Sequence, residues 1–350
     1  MGTAEDLADE RAALVMVKPE PFNAEAPTEA LRGDITPTAM HFIRSNFPLP
    51  AHDGRLEIRG AVEREMTLTL NDLCCMPAVE RAVTIECAGN GRLGFAPLPS
   101  GEPWDRNAVS TARWTGALLH SVLAAARPLS SAVDVSFEGA DHGPYDRYDH
   151  IAFARAMSID RAGDPAAEVL IAYEMNGEAL TPDHGAPFRL IVPGWYGVAS
   201  VKWLKRITVL DHPFVGEFQT ARYVYDWPDR GSEPVTNIRV RARITDPLPG
   251  ATIPAGRYTV RGKAWSGTGP VTRVEVSVAG AGEWQVATLE PAAGPYQWQD
   301  WSFEWDAKPG RRALRARATD AVGNVQPDVP PWNRLGYGNN AVEVCSVDVR

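Results

Sequence analysis

Two regions of different class are predicted from this sequence: an α+β domain over residues 37–215 and an all-β sandwich of immunoglobulin-like type over residues 238–350. Three observations carry the prediction. The chain has 350 residues, enough for two separate cores. Its first part mixes a helical period with apolar strand-like runs but has no regular βαβ repeat. Its last part alternates apolar and polar residues in short segments cut by turns, with no long helical period. Residues 1–36, polar and Pro-rich, read as an arm lying over the surface, and residues 216–237 as a connection.

In order, the folded part opens over residues 36–50, where Phe42 and Phe47 serve as anchors and Pro48 and Pro50 exclude helix. Residues 56–60 alternate as a short strand, and residues 69–73 form a helical turn stopped by Pro77. Leu118, Leu119, Val122, Leu123 and Ala126 have helical spacing, which predicts a helix over residues 116–126 ended by Pro128. Residues 133–137 form a strand running into Glu138-Gly-Ala-Asp141. The apolar runs 167–175 and 188–192 are buried strands, with Asn176-Gly177 a turn between them, and residues 201–209 close the domain. In the sandwich, residues 238–244, 274–278, 301–305, 314–318 and 342–347 alternate strictly, and Pro249-Gly250 and Lys308-Pro-Gly310 mark turns.

Composition narrows the function. A charged fraction of 23% and a hydrophobic fraction of 44% are ordinary for a globular protein. A net charge of -9 argues against a nucleic-acid partner, which would need a basic footprint. No stretch approaches the ~18 consecutive apolar residues of a membrane span, so no membrane partner is expected. The start, Met1-Gly-Thr-Ala-Glu-Asp, is acidic and carries no leader, which reads as cytoplasmic as it stands and periplasmic if a leader was removed. Four cysteines, Cys74, Cys75, Cys87 and Cys345, are too few for a disulfide framework and lack zinc spacing. Cys74, Cys75 and Cys345 read as small hydrophobes.

The chemistry centres on Arg81-Ala-Val-Thr-Ile-Glu-Cys-Ala-Gly-Asn-Gly-Arg-Leu-Gly94. Val83, Ile85 and Cys87 alternate as one face of a strand, and the small-residue turn after it lets the backbone approach a ligand closely. Gly89, Gly91 and Gly94 have dinucleotide-fingerprint spacing, but that reading needs a helix directly afterwards, and Pro97, Pro99 and Pro103 forbid one.

Cys-Ala-Gly-Asn-x-Arg after a strand resembles the molybdenum-binding core of the sulfite oxidase family, which includes eukaryotic nitrate reductases. Other landmarks follow in the family's order: Phe42-Ile-Arg-Ser-Asn-Phe-Pro48, Val109-Ser-Thr-Ala-Arg-Trp114, Glu174-Met-Asn-Gly177, Asp183-His-Gly-Ala-Pro-Phe-Arg189 and Val201-Lys-Trp-Leu204. Ala264-Trp-Ser-Gly-Thr-Gly269 and Trp332-Asn333 continue them, so the resemblance spans residues 37–350. It implies a molybdopterin-binding domain followed by an immunoglobulin-like dimerisation domain, hence a homodimer, with no haem domain in this chain.

The resemblance also assigns roles. Cys87 is the single protein ligand to the metal of a Mo-molybdopterin cofactor, a soft centre suited to thiolate. Phe42, Ile43, Arg44, Ser45, Asn46, Asp141, His184, Arg189, Ser200, Val201 and Lys202 surround the pterin. Asp141 accepts from ring N–H groups, and Arg189 and Lys202 meet its phosphate. Arg44, Arg92 and Trp104 line a pocket for sulfite, with Tyr223 (Tyr225 is its rival) handling a proton and Arg334 of the sandwich completing it. The implied reaction is oxidation of sulfite to sulfate by oxygen-atom transfer, with electrons passed to an external acceptor, oxygen or a cytochrome c-like carrier. The same fold also serves nitrate or another oxyanion, and the sandwich alone would suit a non-catalytic binding protein. Three residues depart from the family pattern. Gly91 replaces the first of two arginines, Asn46 stands where many members have histidine, and Arg334 is one position out of register with Trp-Asn-x-Arg-Gly.

Overall fold

The computed structural model describes residues 8, 11–278 and 283–350. The first domain contains β1 (Arg55–Gly60), β2 (Met66–Thr69), α1 (Leu70–Cys74), β3 (Ala78–Glu86), β4 (Val109–Leu118) and α2 (Leu119–Ala126). It continues through β5 (Asp134–Tyr145), β6 (Tyr148–Ser158), α3 (Ile159–Gly163), β7 (Leu170–Met175), β8 (Glu178–Ala179), β9 (Arg189–Ile191) and β10 (Leu204–Leu210). These strands make two five-stranded sheets, β8-β7-β4-β3 with β9 also on β7, and β2-β1-β10-β5-β6. The α+β expectation needs correction here, because strands dominate. The helices have only five, eight and five residues, and Pro77, Pro128 and Pro165 follow them closely.

Local chemistry explains the short elements. Thr69 caps α1 by accepting from the Asp72 amide, and Asp72 reaches back to the Thr69 amide. The helix expected from Gly116 begins only at Leu119, because Gly116 and Ala117 still pair with Ala172 and Ile171. A Cβ at Gly116 would lie 2.2 Å from the Ile171 carbonyl oxygen, so glycine permits this close strand contact. Asn176 and Gly177, at φ 54° and 82°, form the hairpin turn between β7 and β8.

The arm departs from the surface-lying segment that its composition suggests. Val15–Lys18 pairs with Asn23–Glu25, and the Ala24 amide donates to the Ile43 carbonyl at 3.0 Å. Asn23, Ala24, Glu25 and Ala26 are all buried. Glu25 lies near Asp105 and has one carboxylate oxygen without a hydrogen-bond partner among the described residues. Burial, then the Asp105 charge, pushes its pKa up from 4.5 to about 7. The folded state therefore holds a proton that the unfolded chain releases near pH 4.5, and stability falls as pH rises from about 4.5 to about 7. Glu25→Gln should raise stability by roughly 2 kcal/mol at pH 8 and hardly at all at pH 4, as read by urea unfolding at both pH values.

After β10, a hairpin of β11 (Val224–Asp226) and β12 (Ser232–Pro234) crosses to the second domain. That domain holds β13 (Arg241–Asp246), β14 (Thr252–Ile253), β15 (Gly256–Trp265), β16 (Val271–Ser277) and β17 (Gln285–Val286). It ends with β18 (Thr288–Leu289), β19 (Gln299–Ala307), β20 (Gly310–Asp320) and β21 (Val344–Val349). The sheets β13-β15-β19-β18 and β14-β21-β20-β16-β17 enclose Val260, Val274, Trp301, Leu314 and Val347. Strand β15 carries charged residues and two glycines, which hide its alternation. A Cβ at Gly262 would strike the Trp301 ring at 2.2 Å, so that glycine is where the tryptophan packs.

Candidate active site

Cys87 follows β3 directly and is buried. Its amide donates to the Ala108 carbonyl at 2.8 Å, and its own carbonyl accepts from the Asn90 amide at 2.9 Å. The Asn90 side chain ties the turn, accepting from the Ala108 amide at 3.1 Å and donating to Glu86 at 2.8 Å. Gly91 adopts φ 79°, the left-handed region where a side chain is strained. Its carbonyl accepts from Asn339 at 2.6 Å, and a Cβ there would approach the Arg241 guanidinium at 3.1 Å. The arginine expected at this position is thus replaced by a turn glycine beside a cation from the second domain.

Cys87 lines a first cavity. Phe42, Ile43, Arg44, Ser45, Asn46, Asp141, His184, Arg189, Ser200 and Lys202 all line it with Cys87. Val201 is buried but does not line it. His41, Asp183 and Trp203, which sequence reasoning missed, do. Lys202 donates to the Ser45 hydroxyl at 2.8 Å and the Asp183 carbonyl at 2.9 Å. Arg189 donates to the His184 and Ser200 carbonyls at 3.0 and 3.1 Å. Gly185, at φ 99°, allows the Lys202 backbone to pack against it.

This cavity is charged, and its charges are incompletely matched. Burial pushes the Asp141 carboxyl up, against the opposing pull of Lys202. Burial, then Arg189, pushes Lys202 down. His184 is lowered to about 3, by burial and then Arg189, so it is neutral. Burial brings Arg189 to about 9. Asp141 Oδ1, Arg189 Nε and His41 Nε2 have no hydrogen-bond partner among the described residues. Such groups call for a polar, anionic occupant with ring donors and acceptors.

A second cavity shares Arg44, Asn46, Cys87 and Tyr223 with the first. Arg92 and Trp104 line only this one. The Arg92 guanidinium donates to the carbonyls of Glu102 at 2.8 Å and Leu335 at 3.3 Å and lies over the Tyr337 ring. Three glycines make room for it, since a Cβ at Gly89, Gly101 or Gly336 would come within 2.8–3.1 Å of its atoms. Arg44 donates to Asn46 Oδ1 at 2.6 Å and to the Tyr223 hydroxyl at 3.2 Å, and Tyr223 donates to Asn46 Oδ1 at 3.1 Å. Tyr223 sits at φ 54°, a conformation sparsely populated by aromatic residues. Its rival Tyr225 lines neither cavity and stacks on Trp227.

Arg334, like Val201, is an expected residue that lines neither cavity. It is 69% exposed and paired with Asp226, while the next residue, Leu335, faces the second cavity. The one-residue register shift thus puts an apolar side chain where a cation was expected. Residues that sequence reasoning missed here include Lys18, Glu102, Tyr145, Arg222 and Tyr337. They are scattered along the chain, and no local motif announces them.

Glu86, next to the thiol, fastens the two domains together. It accepts from Asn90, from Arg241 and from the Trp265 indole, each at 2.8 Å. Arg241 also donates to Glu343 at 3.0 Å. The second domain therefore grips the residue beside Cys87.

The residues fit a molybdenum–pyranopterin group. The buried thiol suits the soft metal, Asp141 the ring donors, and Arg189 with Lys202 a terminal phosphate. Two cavities with cationic walls meeting at one buried thiol are the arrangement that a molybdopterin-binding protein needs. Residues 46–218 match the family described as oxidoreductase molybdopterin binding domain, and residues 232–348 the Mo-co oxidoreductase dimerisation domain. The chain is 38% identical to mitochondrial sulfite oxidase of Mus musculus, covering 94% of this chain and 64% of that one. It is 37% identical to sulfite oxidase of Gallus gallus, with 92% and 75% covered. A nitrate reductase [NADH] of Solanum lycopersicum is 32% identical, with 97% and 41% covered. Among solved structures, the sulfane dehydrogenase SoxCD of Paracoccus pantotrophus superposes with a TM-score of 0.84 at 28% identity, covering 98% of this chain and 90% of that one. The chain belongs to the sulfite oxidase family and spans about two thirds of the length of its mammalian relatives.

Proposed function

We propose that this protein oxidises sulfite to sulfate at a molybdopterin centre ligated by Cys87 and passes the electrons to an external acceptor, oxygen or a cytochrome c-like carrier. One observation carries the reading: the cavity lined by Asp141, Arg189 and Lys202 and the arginine-walled pocket meet at Cys87, Arg44, Asn46 and Tyr223. When bound, the cofactor supplies the oxygen-atom and electron chemistry. The protein's part is to bind and orient. Asp141, His184, Arg189, Ser200, Lys202 and the 42–46 segment hold the pterin, with Val201 behind them. Arg44 and Arg92 attract and align the anion, Trp104 shapes the wall, and the Tyr223 hydroxyl holds a proton beside Arg44. Arg334 takes no part in this scheme, because Asp226 holds it outside the pocket.

The test is sulfite-dependent ferricyanide reduction by molybdenum-loaded protein, with nitrate reduction run in parallel. Saturable sulfite turnover with nitrate inert supports the reading; a nitrate-only activity overturns it. Tyr223→Phe removes a hydroxyl hydrogen-bonded to Arg44 and Asn46 and should lower kcat/KM for sulfite by about tenfold to a hundredfold. A wild-type value would remove Tyr223 from the scheme.

The same reading covers the architecture: an arm over 1–36, a catalytic domain over 37–215, a connection over 216–237 and a dimer-forming domain over 238–350. Lettered in chain order, with β14 and β17 as short additions, the sandwich sheets read A-B-E-D and G-F-C, which supports an immunoglobulin-like topology. Among the described residues, no helix is long and apolar enough to cross a membrane.

A further inference from the structure

An anion pocket works through uncompensated positive charge, so a carboxylate on its wall opposes the task. Glu102 is such a carboxylate, 20% exposed and lining the second cavity with Arg92 and Tyr223. Its backbone carbonyl is an acceptor for Arg92, so its place in the wall is tied to that of the arginine. Lys18, the last residue of the strand Val15–Lys18, reaches Glu102 across 84 positions of sequence, Nζ to Oε1 at 3.2 Å. Lys18 is itself part of the pocket wall and 41% exposed.

We infer that Lys18 is a specificity-determining residue for the anion, the arm's contribution to the pocket, acting through its charge and its pairing with Glu102. The inference rests on the anion-oxidising reading above. A pair this exposed contributes little to stability, so its effect falls on the field that an incoming anion meets. Lys18 cancels Glu102 when the two are joined, and its flexible stem lets the ammonium turn toward the anion as it arrives. Because Coulomb energy scales with ligand charge, a dianion feels the change twice as strongly as a monoanion. The buried neighbour Asn23 fixes the arm underneath, accepting from the Ser45 amide at 2.7 Å and from Arg44 at 3.4 Å. The lysine therefore stands on the same support as the inner arginine.

The experiment compares Lys18→Ala and Glu102→Gln holoenzyme with wild type, at low ionic strength and again in 0.5 M salt. Sulfite kinetics and calorimetric titration with sulfate and with nitrate are measured for each. Lys18→Ala should raise KM for sulfite and Kd for sulfate about tenfold and Kd for nitrate about threefold, with kcat within about twofold. Glu102→Gln should move the same constants the other way, and both effects should shrink in high salt. Arg257→Ala, which breaks an exposed pair with Glu304 far along the sandwich, is the control. Constants that do not move in either variant, or that move in the same direction in both, overturn the inference; so does a fall in kcat at unchanged KM. If wild type binds sulfate but does not oxidise sulfite, the functional reading fails, and the sulfate titrations alone decide the role of Lys18.

Discussion

Cys87→Ser protein folds, and melts within a few degrees of the parent, yet its sulfite turnover falls at least a thousandfold. The expectation follows from the position of the thiol. It is buried and lines two cavities, and the main chain at Cys87 is held by hydrogen bonds that do not involve sulfur. Serine removes little volume and leaves the Ala108 and Asn90 contacts in place, so the fold survives. A hydroxyl is a hard, weakly acidic donor where a soft thiolate is required, so the molybdenum centre is the part that suffers. Three readouts separate the outcomes: thermal unfolding, molybdenum content and sulfite-dependent ferricyanide reduction. Full activity in a folded serine variant would remove Cys87 from the metal and, with it, the mechanism proposed for the site.

Glu86→Ala is expected to be the most destabilising of the substitutions considered. It strips one carboxylate from three donors at once: Asn90, Arg241 and the Trp265 indole. Arg241 is 2% exposed and, among the described residues, keeps only Glu343 as a carboxylate partner. Leaving a buried cation half-paired costs about 3–5 kcal/mol, and the orphaned indole adds to it. Unfolding in urea should shift accordingly, and the two domains should separate as distinct transitions once their clamp is cut. Glu86→Gln keeps an acceptor of the same shape and should lose less. If the alanine variant unfolds with the parent, the clamp is not what joins the domains.

The two variants probe adjacent residues of one strand end whose tasks differ. The thiol faces the cavities, while the carboxylate before it faces the second domain, because successive side chains of a strand point to opposite sides. The domain that matches the dimerisation family thus also fastens the turn after Cys87, through Glu86. A lesion in the sandwich near Arg241 should reach the site through Glu86 and the turn held by Asn90.

Much of this was legible in the sequence. The alternation through Trp301, Phe303 and Trp305 marks a strand, since a period of two admits no other regular structure. The Cys87 motif and the other landmarks, taken in order, point to the residues that line one cavity around the thiol. Helix α2 does not reach back over Gly116 to Leu118, because an apolar period is shared by a buried strand and pairing with β7 decides between them. The register departure of Arg334 is visible in the sequence, but its consequence, pairing with Asp226 108 positions away while Leu335 lines the second cavity, is decided by packing. Local order along the chain determined the elements, the motif and the identity of the thiol. Only the tertiary structure decided that Lys18 of the arm lines the second cavity, that Asn23 braces Arg44 and Ser45, and that Arg241 closes on Glu86. Those pairings depend on how distant segments pack, and neither periodicity nor spacing along one chain encodes a charge 155 residues from its partner.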